Sequence, residues 1–101
     1  MKKILLCCSA GMSTSLLVKK MKAVADENNL SVEIDAVPLE MFNEKLPVYD
    51  LILLGPQVKF KQKEFQKIAD QYNKKVEVIN MIDYGTMNGK KVLDFALNLM
   101  K

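Results

Sequence analysis

The hydrophobic positions of this 101-residue chain fall into two kinds of short stretch. Residues 3–8 and 49–54 are rich in consecutive apolar side chains, a pattern typical of central parallel strands covered on both faces. Residues 31–37 and 75–80 instead alternate between apolar and polar side chains, which is typical of strands with one exposed face. The pattern therefore predicts four strands, of which the first and third are central and the others lie at the edges.

Between and after these strands the apolar spacing changes to that of amphipathic helices. The predicted helices extend from about residue 13 or 14 to 28, over 58–72 and over 88–100, with a short helical turn at 39–45. Their buried stripes comprise Leu17, Met21, Val24 and Ala25 in the first helix, Phe65, Ile68, Ala69 and Tyr72 in the next long one, and Val92, Phe95, Ala96 and Leu99 in the last.

This alternation of strands and helices predicts an α/β fold in a single domain, residues 1–101, with a four-stranded parallel sheet and helices on both faces. Right-handed crossovers, with the two continuously apolar strands in the centre, give the strand order 2-1-3-4. Ligands of such sheets bind beyond the carboxyl ends of the strands, where the order reverses between strands one and three. The functional residues are therefore expected at that edge.

The stretch directly after the first strand has the composition of an anion site: Cys8-Ser9-Ala10-Gly11-Met12-Ser13-Thr14-Ser15. The start of the following helix offers backbone N–H groups without intrahelical partners, together with partial positive charge. Gly11 can take a positive φ that curls the backbone round a phosphate, and the hydroxyls add donors, one of Ser13 or Thr14 also capping the helix. Because the same field favours its thiolate form, Cys8 is predicted to be a phosphate-handling thiol.

Residues that follow the other strands are predicted to form the rim of this site. Gly55-Pro56-Gln57 comes after strand three and is expected to face the Cys8 loop, although a plain turn explains these residues equally well. Residues 83–86 are predicted as a loop after strand four, in which Asp83 and Tyr84 are rim candidates and Asp83 alternatively caps a helix or turn. The fourth glycine, Gly89, has no role that the sequence assigns.

Composition excludes several functions. The fifteen basic residues are all lysines, the net charge is only +3, and the absence of the arginine fork counts against nucleic-acid recognition. With no histidine, the chain has no histidine base, no histidine metal ligand and no phosphohistidine of its own. The apolar start of the chain is too short for a signal-peptide core or a membrane span, so direct membrane insertion is not expected.

The two cysteines, Cys7 and Cys8, are adjacent and are therefore expected to point to opposite faces of the first strand. That geometry argues against a disulfide between them and suits a reducing cytoplasm. Cys7 is predicted to be an inert core side chain, whereas Cys8 borders the loop.

Three classes of protein remain open for such a cysteine. A low-molecular-weight phosphatase uses C-x5-R, but Thr14 stands where the arginine falls, and Asp83 is followed by Tyr84 rather than by proline. A thiol-redox protein needs a resolving cysteine, and Cys7 points the wrong way. The third class is a carrier that accepts a phosphoryl group on sulfur and passes it on, which requires a loop that holds phosphate without activating water.

The Cys-Ser-Ala-Gly-Met-Ser-Thr-Ser loop after an apolar strand resembles the signature loop of enzyme IIB of the phosphoenolpyruvate-dependent sugar phosphotransferase system, in its lactose, cellobiose and diacetylchitobiose family. Residues 53–58, residues 76–79 and Tyr84-Gly85 are similar to cellobiose-type members, so the resemblance covers essentially the whole chain. It implies that Cys8 is phosphorylated and that residues 9–15 bind the phosphate.

The resemblance also implies the partners. The donor is a phosphohistidine on enzyme IIA, and the acceptor is a sugar of the cellobiose, beta-glucoside or chitobiose class that enters through the membrane enzyme IIC, with no metal and no cofactor. The carrier is then expected in the cytoplasm, transiently at the inner face of the plasma membrane, and as a monomer. Cys7 departs from the family pattern, and Lys59, Lys61 and Lys63 match no motif, so partner docking there is a hypothesis.

Overall fold

A computed structural model describes residues 2–8 and 11–100, with the backbone alone for residues 11–13. Its four strands are β1 (Lys2–Cys8), β2 (Val32–Pro38), β3 (Leu51–Leu54) and β4 (Lys75–Val78). All neighbouring strands are parallel, and their order is β2-β1-β3-β4. The predicted order and the assignment of central and edge strands are therefore confirmed.

The helices are α1 (Gly11–Glu27), α2 (Phe42–Lys45), α3 (Gln62–Asp70), α4 (Met81–Gly85) and α5 (Gly89–Leu99). A short 3-10 helix, Leu39–Met41, precedes α2, and a longer one, Pro56–Lys61, precedes α3. The prediction of one continuous helix over 58–72 is therefore wrong at its start. Val58 has non-helical angles (φ −120°, ψ 23°) that separate the turn begun by Pro56 from the helix that follows.

The loop predicted at residues 83–86 is also wrong, because α4 occupies most of this segment. The Asn80 side chain accepts hydrogen bonds from the backbone N–H groups of Ile82 and Asp83, which is the pattern of a helix N-cap. The sequence prediction extended the fourth strand through Asn80, whereas β4 ends at Val78. Asn80, rather than Asp83, is the capping residue here.

Two hydrophobic layers cover the sheet, since successive side chains of β1 point to opposite faces. Ile4 and Leu6 pack beneath α1 and α5, whereas Leu5 and Cys7 pack beneath α2 and α3. In the second layer the rings of Phe42 and Phe65 are stacked, with centroids 3.9 Å apart. Helices therefore lie on both faces of the sheet, as predicted.

Gly89 explains how closely α1 and α5 approach each other. A Cβ atom at this position would lie 2.7 Å from the carbonyl carbon of Lys20 and 2.9 Å from the backbone nitrogen of Met21. Backbone contact at this distance leaves no room for a side chain. The glycine that had no assigned role therefore sets the spacing of the two helices on one face of the sheet.

Candidate functional site

The site lies at the carboxyl ends of the strands, where the segments after β1, β3 and β4 meet. β1 ends at Cys8 and α1 begins at Gly11. The Gly55 backbone N–H donates to the Cys7 carbonyl over 3.0 Å, and the Ile79 N–H donates to the Leu54 carbonyl over 2.9 Å. These bonds continue the ladder past the strand ends and bring the three predicted segments to the same edge.

Cys8 is the last residue of β1, where it pairs with Pro38 of β2, and its side chain is buried. Two residues separate it from the first residue of α1, a 17-residue helix whose N-terminal end carries partial positive charge. Of the predicted phosphate loop, Ser9 and Ala10 lie outside the described residues, as do the side chains of Gly11, Met12 and Ser13.

Cys7 occupies a different environment. Its side chain is fully buried in the layer beneath α2 and α3, as the alternation along β1 predicts. Burial, and secondarily the charge of Cys8, raises the pKa of Cys7 to about 12. The Cys7 thiol is therefore protonated at neutral pH and lacks the thiolate that nucleophilic chemistry requires.

The first turn of α1 differs from the sequence prediction. The helix begins at Gly11 rather than at Ser13 or Thr14, so Gly11 belongs to the helix and is not a loop residue with positive φ. Thr14 is consequently an internal helical residue and not the cap, and its side chain is fully buried. Ser15 faces solvent on the outside of the helix.

Thr14 takes part in a hydrogen-bonded chain that joins all three segments of the edge. Its Oγ1 lies 3.1 Å from the hydroxyl oxygen of Tyr84 in α4. The Gln57 amide Nε2 donates to the same Tyr84 oxygen, also over 3.1 Å. Two of the predicted rim residues are thereby connected directly to the helix that follows Cys8.

A shallow cavity of about 360 Å³ lies beside the hydrogen-bonded residues Gln57 and Tyr84. It is lined by Pro56, Gln57, Met81, Tyr84 and Gly85. The predicted rim residues Gly55 and Asp83 are not among its lining residues, whereas Met81, which the sequence reasoning missed, is one of them. The signal for it is Asn80, a favourable N-cap residue just after the fourth strand, which indicates the start of a helix rather than a loop.

A larger cavity of about 410 Å³ lies at the opposite edge of the sheet, near the first residues of β1 and β4. Lys2, Asp50 and Lys75 are among its lining residues, but neither cysteine is. The larger cavity is therefore not part of the candidate site around Cys8. Among residues 2–8 and 11–100, no cluster of three or more acidic, cysteine or histidine side chains is placed to hold a metal ion.

Comparison with known proteins identifies the family. The model of the family described as "PTS system, Lactose/Cellobiose specific IIB subunit" matches residues 3–95. The chain belongs to this family. It is a IIB component of lactose/cellobiose type in the sugar phosphotransferase system, and such components are parts of a phosphotransferase.

Relatives of this IIB chain carry different sugar names. An oligo-beta-mannoside-specific EIIB component of Bacillus subtilis (strain 168) is 53% identical over 100 residues, covering 99% of this chain and 97% of the relative. A galactose-specific EIIB component of Lactococcus lactis subsp. cremoris (strain MG1363) is 47% identical over 104 residues, covering 98% and 96%. A cellobiose-specific EIIB component of Lactococcus lactis subsp. lactis (strain IL1403) is 46% identical with the same coverage.

Solved structures agree with the IIB fold. The solution structure of a cellobiose-specific IIB component from Borrelia burgdorferi has a TM-score of 0.81 at 42% identity, covering 97% of this chain and 90% of that one. A lactose-specific IIB domain from Streptococcus pneumoniae shares the fold with a TM-score of 0.90 at 22% identity, covering 99% and 98%. In the part of the IIB chain that is described, no helix combines the length and apolarity that crossing a membrane requires.

Proposed function

We propose that this IIB chain carries a phosphoryl group on Cys8, received from a phosphohistidine of enzyme IIA and delivered to a sugar entering through enzyme IIC. The observation that carries the proposal is the position of Cys8 at the end of a central strand, separated by two residues from the start of α1. Backbone N–H groups at that helix start, with the helix dipole, favour a bound phosphate. The family resemblance supplies the direction of transfer and the two partners.

The first step is an in-line displacement at phosphorus. The Cys8 thiolate forms the Sγ–P bond as the P–N bond of the donor breaks, and the imidazole nitrogen keeps the electron pair of that bond. Residues 9–15 are proposed to bind the equatorial oxygens, where charge develops in the loose transition state. No metal or cofactor enters this step.

The second displacement passes the group to the sugar. A sugar hydroxyl oxygen forms the O–P bond, the Sγ–P bond breaks, and Cys8 leaves as a thiolate. The hydroxyl proton needs a base, and since the chain has no histidine we assign that base to enzyme IIC. The absence of arginine removes the fork that a phosphatase uses against water, which favours a carrier over a hydrolase.

The sugar is proposed to be a beta-linked sugar of the cellobiose, beta-glucoside or chitobiose class. The names of two relatives, oligo-beta-mannoside-specific and cellobiose-specific, support a beta-linked substrate. The galactose-specific relative has nearly the same identity to this chain as the cellobiose-specific one. The identity between IIB chains is therefore a weak guide to the sugar transported, and we assign the selection of the sugar to enzyme IIC.

The carboxyl edge of the sheet is proposed as the docking surface for enzyme IIA. Leu16, Phe60, Met81 and Ile82 are exposed apolar side chains that all follow strand ends at this edge. We call these four residues the apolar rim.

Lysines next to the apolar rim are the second element of the proposed docking surface. Lys59 and Lys63 are exposed, whereas Lys61 is partly buried and pairs with Glu64 over 3.4 Å. A shuttle between two partners needs transient contacts, which a small apolar surface with peripheral charge provides. Because its proposed partners are enzyme IIA and the membrane enzyme IIC, the IIB chain is proposed to act in the cytoplasm and at the inner face of the membrane.

Intact-protein and peptide mass spectrometry tests the proposal. The chain is mixed with phosphoenolpyruvate, enzyme I, HPr and a cellobiose-type enzyme IIA, and one phosphoryl group is expected on Cys8 that is absent when enzyme IIA is omitted. Cys8→Ser should abolish the label, whereas the matched variant Cys7→Ser should retain it. A folded, unlabelled wild-type chain that turns over an aryl phosphate would overturn the carrier in favour of a phosphatase.

A further inference from the structure

We propose that Tyr84 is a positioning residue that orients the Thr14 hydroxyl as a donor to the phosphoryl group; the inference rests on the proposed function. Tyr84 does not touch the phosphate in this assignment. Its hydroxyl oxygen lies 3.1 Å from Thr14 Oγ1 and 3.1 Å from Gln57 Nε2. The assigned function of the hydroxyl is to fix the direction of a hydrogen bond in the first turn of α1.

The donor in the hydrogen bond between Tyr84 and Thr14 follows from the hydrogens available to Gln57, Tyr84 and Thr14. Gln57 Nε2 is a donor, so the Tyr84 oxygen accepts from it. A hydroxyl that accepts a hydrogen bond becomes a better donor, which favours donation from Tyr84 to the Thr14 oxygen. Thr14 then accepts from Tyr84 and keeps its own hydrogen for a further acceptor.

The location of Thr14 indicates the acceptor. Thr14 is the fourth residue of α1, within the turn whose backbone N–H groups lack intrahelical partners. Its side chain is fully buried, so bulk water does not compete for the hydroxyl. An anion held at this helix end for transfer to Cys8 is the acceptor that fits both the position and the chemistry.

Tyr84 is held in place independently of its hydroxyl. The Asn80 side chain caps α4, and the Tyr84 backbone N–H donates to the Asn80 carbonyl over 2.9 Å. The partly buried ring packs against the core beneath α1 and α5. Tyr84→Phe is therefore expected to keep the ring in position and to remove the two hydrogen bonds of the hydroxyl, to Thr14 and from Gln57.

The test measures single-turnover transfer from phosphorylated enzyme IIA to Cys8 by rapid quench. Thr14→Val is expected to slow transfer by about a hundredfold to a thousandfold, the range for loss of one transition-state donor. Tyr84→Phe leaves that donor in place but less well oriented, so a smaller loss of about tenfold is expected. Thr14→Ser keeps the hydroxyl and should transfer at close to the wild-type rate. If Tyr84 acts through Thr14, adding Tyr84→Phe to Thr14→Val should cause no further loss.

Tyr49→Phe is the matched control, since it removes a tyrosine hydroxyl bonded to Asp35 in the other layer. It should lower stability without changing the transfer rate. Wild-type transfer by Tyr84→Phe, or losses that multiply in the double variant, would overturn the positioning role. Failure of the proposed function gives a different result, because the wild-type chain itself would then carry no phosphoryl group on Cys8.

Discussion

At the residue scale, one step along β1 places the two cysteines in different surroundings. Cys7 faces the layer beneath α2 and α3, where burial raises its pKa to about 12, whereas Cys8 ends the strand beside the start of α1. The period of two in a strand produces this division without any special residue. Adjacent thiols in this chain therefore do not form a redox pair.

The hydrogen bond from Tyr49 to Asp35 is a second buried feature with a measurable effect. The Tyr49 hydroxyl donates to Asp35 Oδ2 over 2.7 Å, and burial first, then the hydrogen bond and charge of Asp35, raises the pKa of Tyr49 to about 12. The folded state thus holds the tyrosine proton more tightly than the unfolded state, whose pKa is about 10. The contribution of the protonated Tyr49 to the free energy of unfolding is complete below pH 10 and is lost between about pH 10 and 12.

Tyr49→Phe is therefore expected to lower the free energy of unfolding by about 1–2 kcal/mol at neutral pH. The loss of stability between pH 10 and 12 should become shallower, leaving the part that Cys7 contributes as it titrates towards its raised pKa. Urea unfolding followed by far-ultraviolet circular dichroism from pH 7 to pH 11.5 measures both effects. An unchanged alkaline slope would contradict the assignment.

At the scale of elements, the contact of α1 with α5 depends on Gly89. Gly89→Ala places a Cβ atom 2.7 Å from the Lys20 carbonyl carbon, so the two helices must separate. Such overpacking costs about 1–3 kcal/mol. We expect a lower free energy of unfolding for this variant in urea.

Gly85→Ala is the matched control for this substitution. Gly85 also lies in a helix, but a Cβ atom there would meet nothing within 4 Å. Alanine is the better helix former, so the control should leave stability unchanged or raise it by up to about 1 kcal/mol. Equal destabilisation by both variants would mean that the approach of α1 and α5 does not depend on Gly89.

Periodicity was sufficient to predict the sheet and most helices, because the sheet order depends on which strands are apolar on both faces. It was insufficient at residues 79–86, where a five-residue helix has too few turns to show a period. It also missed the kink at Val58, which depends on the turn that Pro56 begins. Short elements owe their form to caps and tertiary contacts more than to spacing.

The site shows the same limit. The sequence placed Cys8, Gln57 and Tyr84 at one edge, since the carboxyl ends of parallel strands meet there. The bond between Thr14 and Tyr84 joins residues 70 positions apart, and no local pattern encodes it. The local pattern alone therefore predicts a loop or cap position for Thr14, whereas the structure buries this side chain inside α1.

For the whole molecule, apolar side chains are exposed at both the carboxyl and the amino ends of the strands. The apolar rim follows strand ends near Cys8, whereas Leu30, Val48 and Tyr72 precede strands at the opposite edge. Under the proposed function, only the first set is placed where a donor protein would approach Cys8. Ile82, whose relative exposure is 73%, is the most exposed residue of the apolar rim.

Ile82→Asp tests the docking surface without disturbing the fold. Ile82 lies in the first turn of α4, where an acidic residue is favourable towards the helix dipole, so stability should be preserved. Loss of an apolar contact in an interface is expected to weaken binding of enzyme IIA by about tenfold. Isothermal titration calorimetry with a cellobiose-type enzyme IIA measures the dissociation constant directly.

Val48→Asp is the matched control, because it introduces the same charge at an exposed apolar position of the opposite edge. Its dissociation constant should equal that of the wild-type chain. At saturating enzyme IIA the Ile82 variant should still be phosphorylated on Cys8, since docking and chemistry are separate. Equal weakening by both variants would show that net charge, rather than the apolar rim, governs the association, because both substitutions add the same charge and only Ile82 belongs to the apolar rim.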